Sequence, residues 1–180
     1  MSYKLKKLSD NDKKILDTIF IELEKIHIPT SYRSNPKGSR NHCRRTGTNH
    51  QKGAKQDVFG NVYYQGKIVK SKITQKYPHI FPLFNNFMLS HNPEFKFSAV
   101  YVNKNTICKR HKDSNNAGVS IIIGLGKYTY GRTILHFENK KDIKIHIKNQ
   151  SLMFNGSEIE YSSEEFKGTR YSLVFFGRKN

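Results

Sequence analysis

From Phe95 onwards the chain reads as a series of short β-prone segments broken by Gly, Asn and Asp turns, and this pattern constrains the fold more than any other feature. The segments span 95–103, 106–111, 118–124, 132–138, 142–147, 151–155 and 170–176. Seven of them, separated by turns too short to hold a helix, predict an antiparallel sandwich or jelly roll. Upstream the period is helical. Residues 9–27 place Ile15, Leu16, Ile19, Phe20, Leu23 and Ile26 on one face, with Ser9 and Asp12 spaced as a capping box and Pro29 as a stop. Gln65-Gly66 within "VFGNVYYQGKIVKSK" predicts a hairpin, and "KYPHIFPLFNNFMLSHN" predicts a second helix with Pro82 confined to its first turn. The expected class is α+β, mainly β, with N-terminal helices packed on one sheet. A single domain is expected, with helices, a basic loop and a hairpin over 1–94 and the β core over 95–180.

Charge points to a polyanionic partner. Lys and Arg outnumber Asp and Glu by 32 to 14 over 180 residues, a formal charge of +18, which favours nucleic acid. DNA is the favoured form over RNA. Residues 31–56 contain no acidic residue and carry Arg40, Arg44 and Arg45, so this stretch reads as a basic loop that binds phosphates. An A+T-rich coding genome enriches lysine by itself, yet the acidic residues have not risen alongside. No apolar leader and no apolar run of roughly 20 residues is present, so an intracellular protein is expected, with no membrane partner. In a reducing compartment its two cysteines, Cys43 and Cys108, are expected as free thiols.

The candidate chemistry starts at His111-Lys112-Asp113, inside "CKRHKDSNNAG". Alternate residues at a strand end share a face, so the histidine and the carboxylate project together. A third ligand from a distant strand would complete a facial triad that leaves metal positions open for a co-substrate and dioxygen. Alone, an HxD is a weak signal and equally a polar turn. Other histidines, His136 and His146, lie on predicted strands of unknown facing, and His42, Cys43 and His50 fit no standard zinc-finger spacing.

Two longer stretches sharpen the reading. "MFNGSEIEYSSEEFKGTRYSLVFF" and "FSAVYVNKNTICKRHKDSNNAGVSIIIGLGKYTYG" resemble the closing strands and the HxD strand of the Fe(II)/2-oxoglutarate-dependent dioxygenase superfamily. The resemblance is greatest to its thymine- and methylcytosine-hydroxylating branch with viral and phage relatives, and with "VFGNVYY" and "SKITQKYPHIFPLF" it covers about residues 57–177. It implies a double-stranded β-helix, with His111 and Asp113 as ligands of Fe(II). It also implies that Arg170 pairs with the distal carboxylate of 2-oxoglutarate, with Ser172 and Asn103 as further co-substrate contacts. A guanidinium suits that task because its fork of donors matches a carboxylate and stays charged.

The chain departs from the family where "F-D-G-x-x-x-H" would place the distal histidine. Here it reads Phe154-Asn155-Gly156-Ser157-Glu158-Ile159-Glu160, so Glu160 is expected as the third metal ligand, in a set that also suits Mn(II) or Mg(II). The family's doubled glycine is replaced by Tyr130-Gly131-Arg132. The resemblance implies hydroxylation of a nucleic-acid base drawn out of the stack, at the expense of dioxygen and 2-oxoglutarate, with ascorbate as the assay reductant. If the source is viral, the host cytoplasm or nucleus is the expected location. The competing reading is a catalytically inactive dioxygenase-fold protein acting as a nucleic-acid-binding module.

Overall fold

The computed structural model describes residues 2–29, 55–114, 116–138 and 140–178. A short strand, β1 (Tyr3–Lys7), leads into helix α1 (Asp10–Lys25). Ser9 caps that helix as its sequence dictates: its hydroxyl accepts from Asp12 N, and the Asp12 carboxylate accepts from Ser9 N, each at 3.0 Å. Leu16, Ile19 and Leu23 form the buried stripe. The hairpin also forms as expected. Strands β2 (Lys55–Tyr64) and β3 (Lys67–Lys70) meet at Gln65 and Gly66, whose φ values of 48° and 78° give the twist a two-residue hairpin requires.

A five-residue helix, α2 (Lys72–Lys76), then precedes α3 (Ile80–His91), which carries Pro82 in its first turn. The rest is strand: β4 (Ala99–Lys104), β5 (Asn116–Leu125), β6 (Tyr128–Tyr130), β7 (Thr133–His136), β8 (Ile143–Ile145), β9 (Gln150–Phe154), β10 (Glu160–Ser163), β11 (Phe166–Gly168) and β12 (Tyr171–Arg178). The main sheet has the order β1-β9-β5-β12-β4-β2-β3, and its neighbouring strands pair antiparallel. A smaller sheet, β10-β7-β8, and the pair β11-β6 complete a double-stranded β-helix.

Alternation of apolar residues along the main sheet creates two cores. One face, with Val100, Ile121 and Phe175, packs against Ile19, Phe84 and Phe87 of the helices. The other, with Ile122, Leu152 and Val174, packs against Leu135, Ile145 and Tyr161 of the smaller sheet. No helix among the described residues is long and apolar enough to cross a membrane.

Three expectations need correction. Residues 106–111 form no strand; only His111 pairs, in an isolated antiparallel bridge with Tyr161, while Thr106 is held by its hydroxyl on the Lys55 and Lys104 carbonyls. Strands β1, β6, β10 and β11 were not expected because "YKLKK", "YTY", "EYSS" and "FKG" are too polar or too short to signal a strand; pairing partners hold them. Cys108 is disulfide-bonded, so a free thiol is not found there: composition speaks of a compartment, but the bond depends on proximity in the fold. Cys43, like Arg40, Arg44 and Arg45, lies outside the described residues.

Where α1, α3 and β9 meet, three buried polar groups form a chain. His91 Nδ1 lies 2.9 Å from the Asp12 carboxylate, and His91 Nε2 lies 2.7 Å from the Ser151 hydroxyl. The order Asp–His–Ser is that of a hydrolytic triad, but the three residues are 1–3 % exposed and admit no substrate. Their role is to fasten the helices to the sheet. Burial pushes the Asp12 pKa up, and hydrogen bonds from His91, Ser90 and Ser9 outweigh it and hold the carboxyl below its ordinary value. A depressed carboxyl pKa contributes stability above the unfolded-state value and loses it as pH falls through the folded-state one. We therefore expect stability to decline on acidification below the ordinary aspartate range, and this decline to be smaller in His91→Leu. At neutral pH His91→Leu should lose about 3 kcal/mol by stranding the buried charge, and Ser151→Ala about 1 kcal/mol, read as shifts in the urea midpoint at unchanged slope.

Candidate active site

The site lies where the smaller sheet closes over the main one. His111 and Tyr161 exchange both backbone hydrogen bonds, at 3.0 and 2.9 Å, so the two residues stand opposite each other and project to the same side. Their rings tilt together with centroids 4.3 Å apart. His111 Nδ1 sits 2.6 Å from the Lys109 carbonyl. A carbonyl only accepts, so this nitrogen carries the proton in the neutral ring and Nε2 is the acceptor. That Nε2 lies 3.6 Å from Asp113 Oδ1. The other carboxylate oxygen, Oδ2, accepts from the Tyr161 hydroxyl at 2.6 Å and from Asn116 Nδ2 at 3.4 Å. Asp113 is further anchored through its own N–H to the Gly156 carbonyl. Burial, followed by the Asp113 charge that its hydroxyl faces, pushes the Tyr161 pKa well above the ordinary phenol range, so the group is a neutral donor.

Glu160 stands apart from this corner. Adjacent strand residues face opposite ways, so with Tyr161 turned inward Glu160 turns outward, where its carboxylate takes a 2.6 Å hydrogen bond from Arg110 Nε. Of the other histidines singled out in the sequence, His136 and His146 do not approach either, and His42 and His50 lie outside the described residues. His136 is bonded to the Ser162 hydroxyl and lies 2.9 Å from Asp142, and His146 is exposed. Among the described residues no three His, Cys, Asp or Glu side chains gather closely enough to hold a metal. His111 and Asp113 have the orientation of metal ligands, including the ring N–H donated to a carbonyl. With Glu160 turned away and the Tyr161 hydroxyl spent on Asp113, the described residues do not fit a complete Fe(II) triad.

Beside that corner lies a small cavity of about 30 Å³, lined in part by Tyr161, Asn103, Arg170, Ser172 and Thr133. Arg170 is 2 % exposed, and no carboxylate lies within ion-pair distance of it among the described residues. Its guanidinium is instead sandwiched 5.6 Å from the ring centres of both Tyr128 and Phe166. Among the described residues, neither Arg170 Nε nor the buried Tyr128 hydroxyl makes a hydrogen bond of good geometry, although the guanidinium and the phenol are close enough to interact directly. Asn103 gives Nδ2 to the Ser172 hydroxyl at 3.3 Å, leaving its Oδ1 unpartnered. The register explains this grouping, because Ser172 pairs with Asn103 across β12 and β4. Gly131, at φ 66°, passes so close that a Cβ there would lie 3.0 Å from Arg170 Cδ and Nε. This glycine makes room for the guanidinium.

No protein-family model matches the chain, and neither does any curated protein. Solved structures do. A prolyl-4-hydroxylase from Pseudomonas putida superposes with a TM-score of 0.57 at 11 % identity, covering 98 % of this chain and 92 % of its own. A Trichoplax adhaerens prolyl hydroxylase, solved with a hypoxia inducible factor oxygen degradation domain peptide, gives 0.56 at 12 % identity over 98 % and 83 %. NgTET1 in complex with 5mC DNA gives 0.61 at 14 % identity over 93 % and 69 %. The chain shares its fold, a double-stranded β-helix, with these prolyl hydroxylases and NgTET1.

Of the residues singled out in the sequence, the structure brings His111 and Asp113 together and puts Asn103, Arg170 and Ser172 around one cavity. Tyr161 was missed. The only signal for it was its position directly after Glu160, and which of the two faces His111 is a matter of strand register. Burying an unpaired guanidinium is costly unless a ligand neutralises it. We expect Arg170→Met to raise the stability of the ligand-free protein by about 1–2 kcal/mol, seen as a higher thermal midpoint. A fall in the midpoint would show that Arg170 serves the fold.

Proposed function

We propose that the chain is a dioxygenase-fold protein that binds 2-oxoglutarate, or a dicarboxylate like it, in the cavity and nucleic acid on its basic surface, with a metal site altered from that of an iron oxygenase. The observation that carries this reading is Arg170: a buried fork of donors without an acid partner, between two aromatic rings, next to the unpartnered Asn103 oxygen. Such a group binds a carboxylate with a charge-assisted, bidentate fit that lysine would not reproduce. Ser172 adds a hydroxyl from β12, the strand that Arg170 leads into, and the Tyr128 and Phe166 rings flank the guanidinium.

Nucleic acid as the partner rests on charge and on the hairpin. The net charge of +18 draws polyanions. Tyr63 and Tyr64 are 61 % and 62 % exposed at the tip of β2, beside the exposed Lys67 and Lys70 of β3. Exposed aromatic rings among lysines stack on unpaired bases while the ammonium groups track the backbone. The neighbour NgTET1 was solved with DNA, in keeping with this partner.

A second reading, an active Fe(II)/2-oxoglutarate dioxygenase hydroxylating a nucleic-acid base, is favoured by one observation: His111 and Asp113 keep the mutual orientation of ligands, with the ring N–H fixed on a carbonyl. The two readings separate in one assay. We expect millimolar 2-oxoglutarate to raise the thermal midpoint of the wild-type protein but not of Arg170→Met, and Fe(II) with ascorbate to produce no succinate above the blank. Succinate release that requires His111 would establish the second reading, and no thermal shift would overturn the first. For the hairpin, replacing Tyr63 and Tyr64 by Ala should weaken binding to a single-stranded oligonucleotide about tenfold or more with little change in salt dependence. Lys67→Gln with Lys70→Gln should instead flatten the salt slope. Unchanged affinity in both variants would remove the hairpin from the interface.

A further inference from the structure

We propose that residue 161, not residue 160, is the third vertex of the site, and that the Tyr161 hydroxyl fills it, fastening Asp113 where a metal would otherwise do so. This rests on the altered-site reading above but not on the binding of 2-oxoglutarate. The argument is one of register. Among the described residues, the strand that borders His111 and can offer a third donor facing His111 and Asp113 is β10. The two mutual backbone hydrogen bonds between His111 and Tyr161 put residue 161 opposite His111, with its side chain on the same face. Residues 160 and 162 then project to the other face. The flanking contacts agree, because Arg110, next to His111, meets Glu160 on the outside. Ser162 likewise turns to His136.

At this vertex the phenol is used up. Its hydroxyl lies 2.6 Å from Asp113 Oδ2, and its ring is wedged between His111 and Phe154, with centroid distances of 4.3 and 5.0 Å. The corner is thus closed by a covalently attached donor, which holds the carboxylate in place without an ion. An imidazole at the same position is shorter than the phenol. It would withdraw from Asp113, open space between the three side chains, and present a nitrogen lone pair where the hydroxyl now donates.

The test is a Co(II) titration of EDTA-stripped protein followed by visible absorption, with no 2-oxoglutarate present and with folding checked by circular dichroism. Tyr161→His is expected to bind Co(II) at least tenfold more tightly than the wild type. Glu160→His is expected to bind no better than the wild type. Tyr161→Phe, which keeps the ring and its packing, is expected to match the wild type and provides a reading should Tyr161→His fail to fold. Tighter binding by Glu160→His would overturn the proposal, as would a wild-type Co(II) site that Tyr161→Phe abolishes. Because the readout is metal alone, it can fail while 2-oxoglutarate still binds Arg170, and it can succeed where 2-oxoglutarate does not bind.

Discussion

Two backbone hydrogen bonds between His111 and Tyr161 decide what this protein can do. They fix the register of β10 against a segment that is otherwise irregular, and a one-residue slip would exchange every inward side chain for an outward one. With the register as it stands, the inner face of the corner holds an imidazole, a carboxylate and a phenol, and the outer face holds the Arg110–Glu160 ion pair. The make-up of this corner follows from that register and from the residue type at 161. A glutamate one position away is chemically able to bind a metal and sterically unable to reach it.

The second constraint is the cost of burying Arg170. A guanidinium at 2 % exposure with no acid partner among the described residues is retained against the tendency of cores to exclude unpaired charge. Around it the fold supplies what compensation it can: two aromatic faces, a glycine at 131 that clears its path, and a backbone anchor in which Arg170 N–H donates to Asn105 Oδ1 at 2.9 Å. These fix the strand and orient the stem, and they leave the forked head for an anion. The cavity and the corner share Tyr161 as a common wall, so a ligand on Arg170 lies next to the His111–Asp113 pair. The Arg170 cavity and the His111–Asp113 corner are therefore neighbours.

Local signals were legible in the sequence, and non-local ones were not. The Ser9–Asp12 capping box, the Gln65-Gly66 turn and Pro82 in a first turn are written within four residues each, and the structure follows them. The Arg170 strand was legible from its apolar run, and the HxD pair from its residue types and spacing alone, because the strand expected to carry it does not form. Strand β1 was not, since four of its five residues are exposed and its existence depends on pairing with β9, some 145 residues away. The third vertex failed for the same reason. Glu160 and Tyr161 are adjacent in sequence, and only the partner strand, 50 residues earlier, decides which of them faces inward.

The most direct test of this account is a crystal structure of the protein grown with 2-oxoglutarate and Mn(II), with anomalous scattering used to locate the metal. The account predicts a carboxylate bound in a fork on the Arg170 guanidinium, the Tyr161 hydroxyl still on Asp113, and no anomalous peak between His111 and Asp113. A Mn(II) peak bridging His111 Nε2 and Asp113 Oδ1, with Tyr161 displaced or with Glu160 turned inward as a ligand, would contradict it.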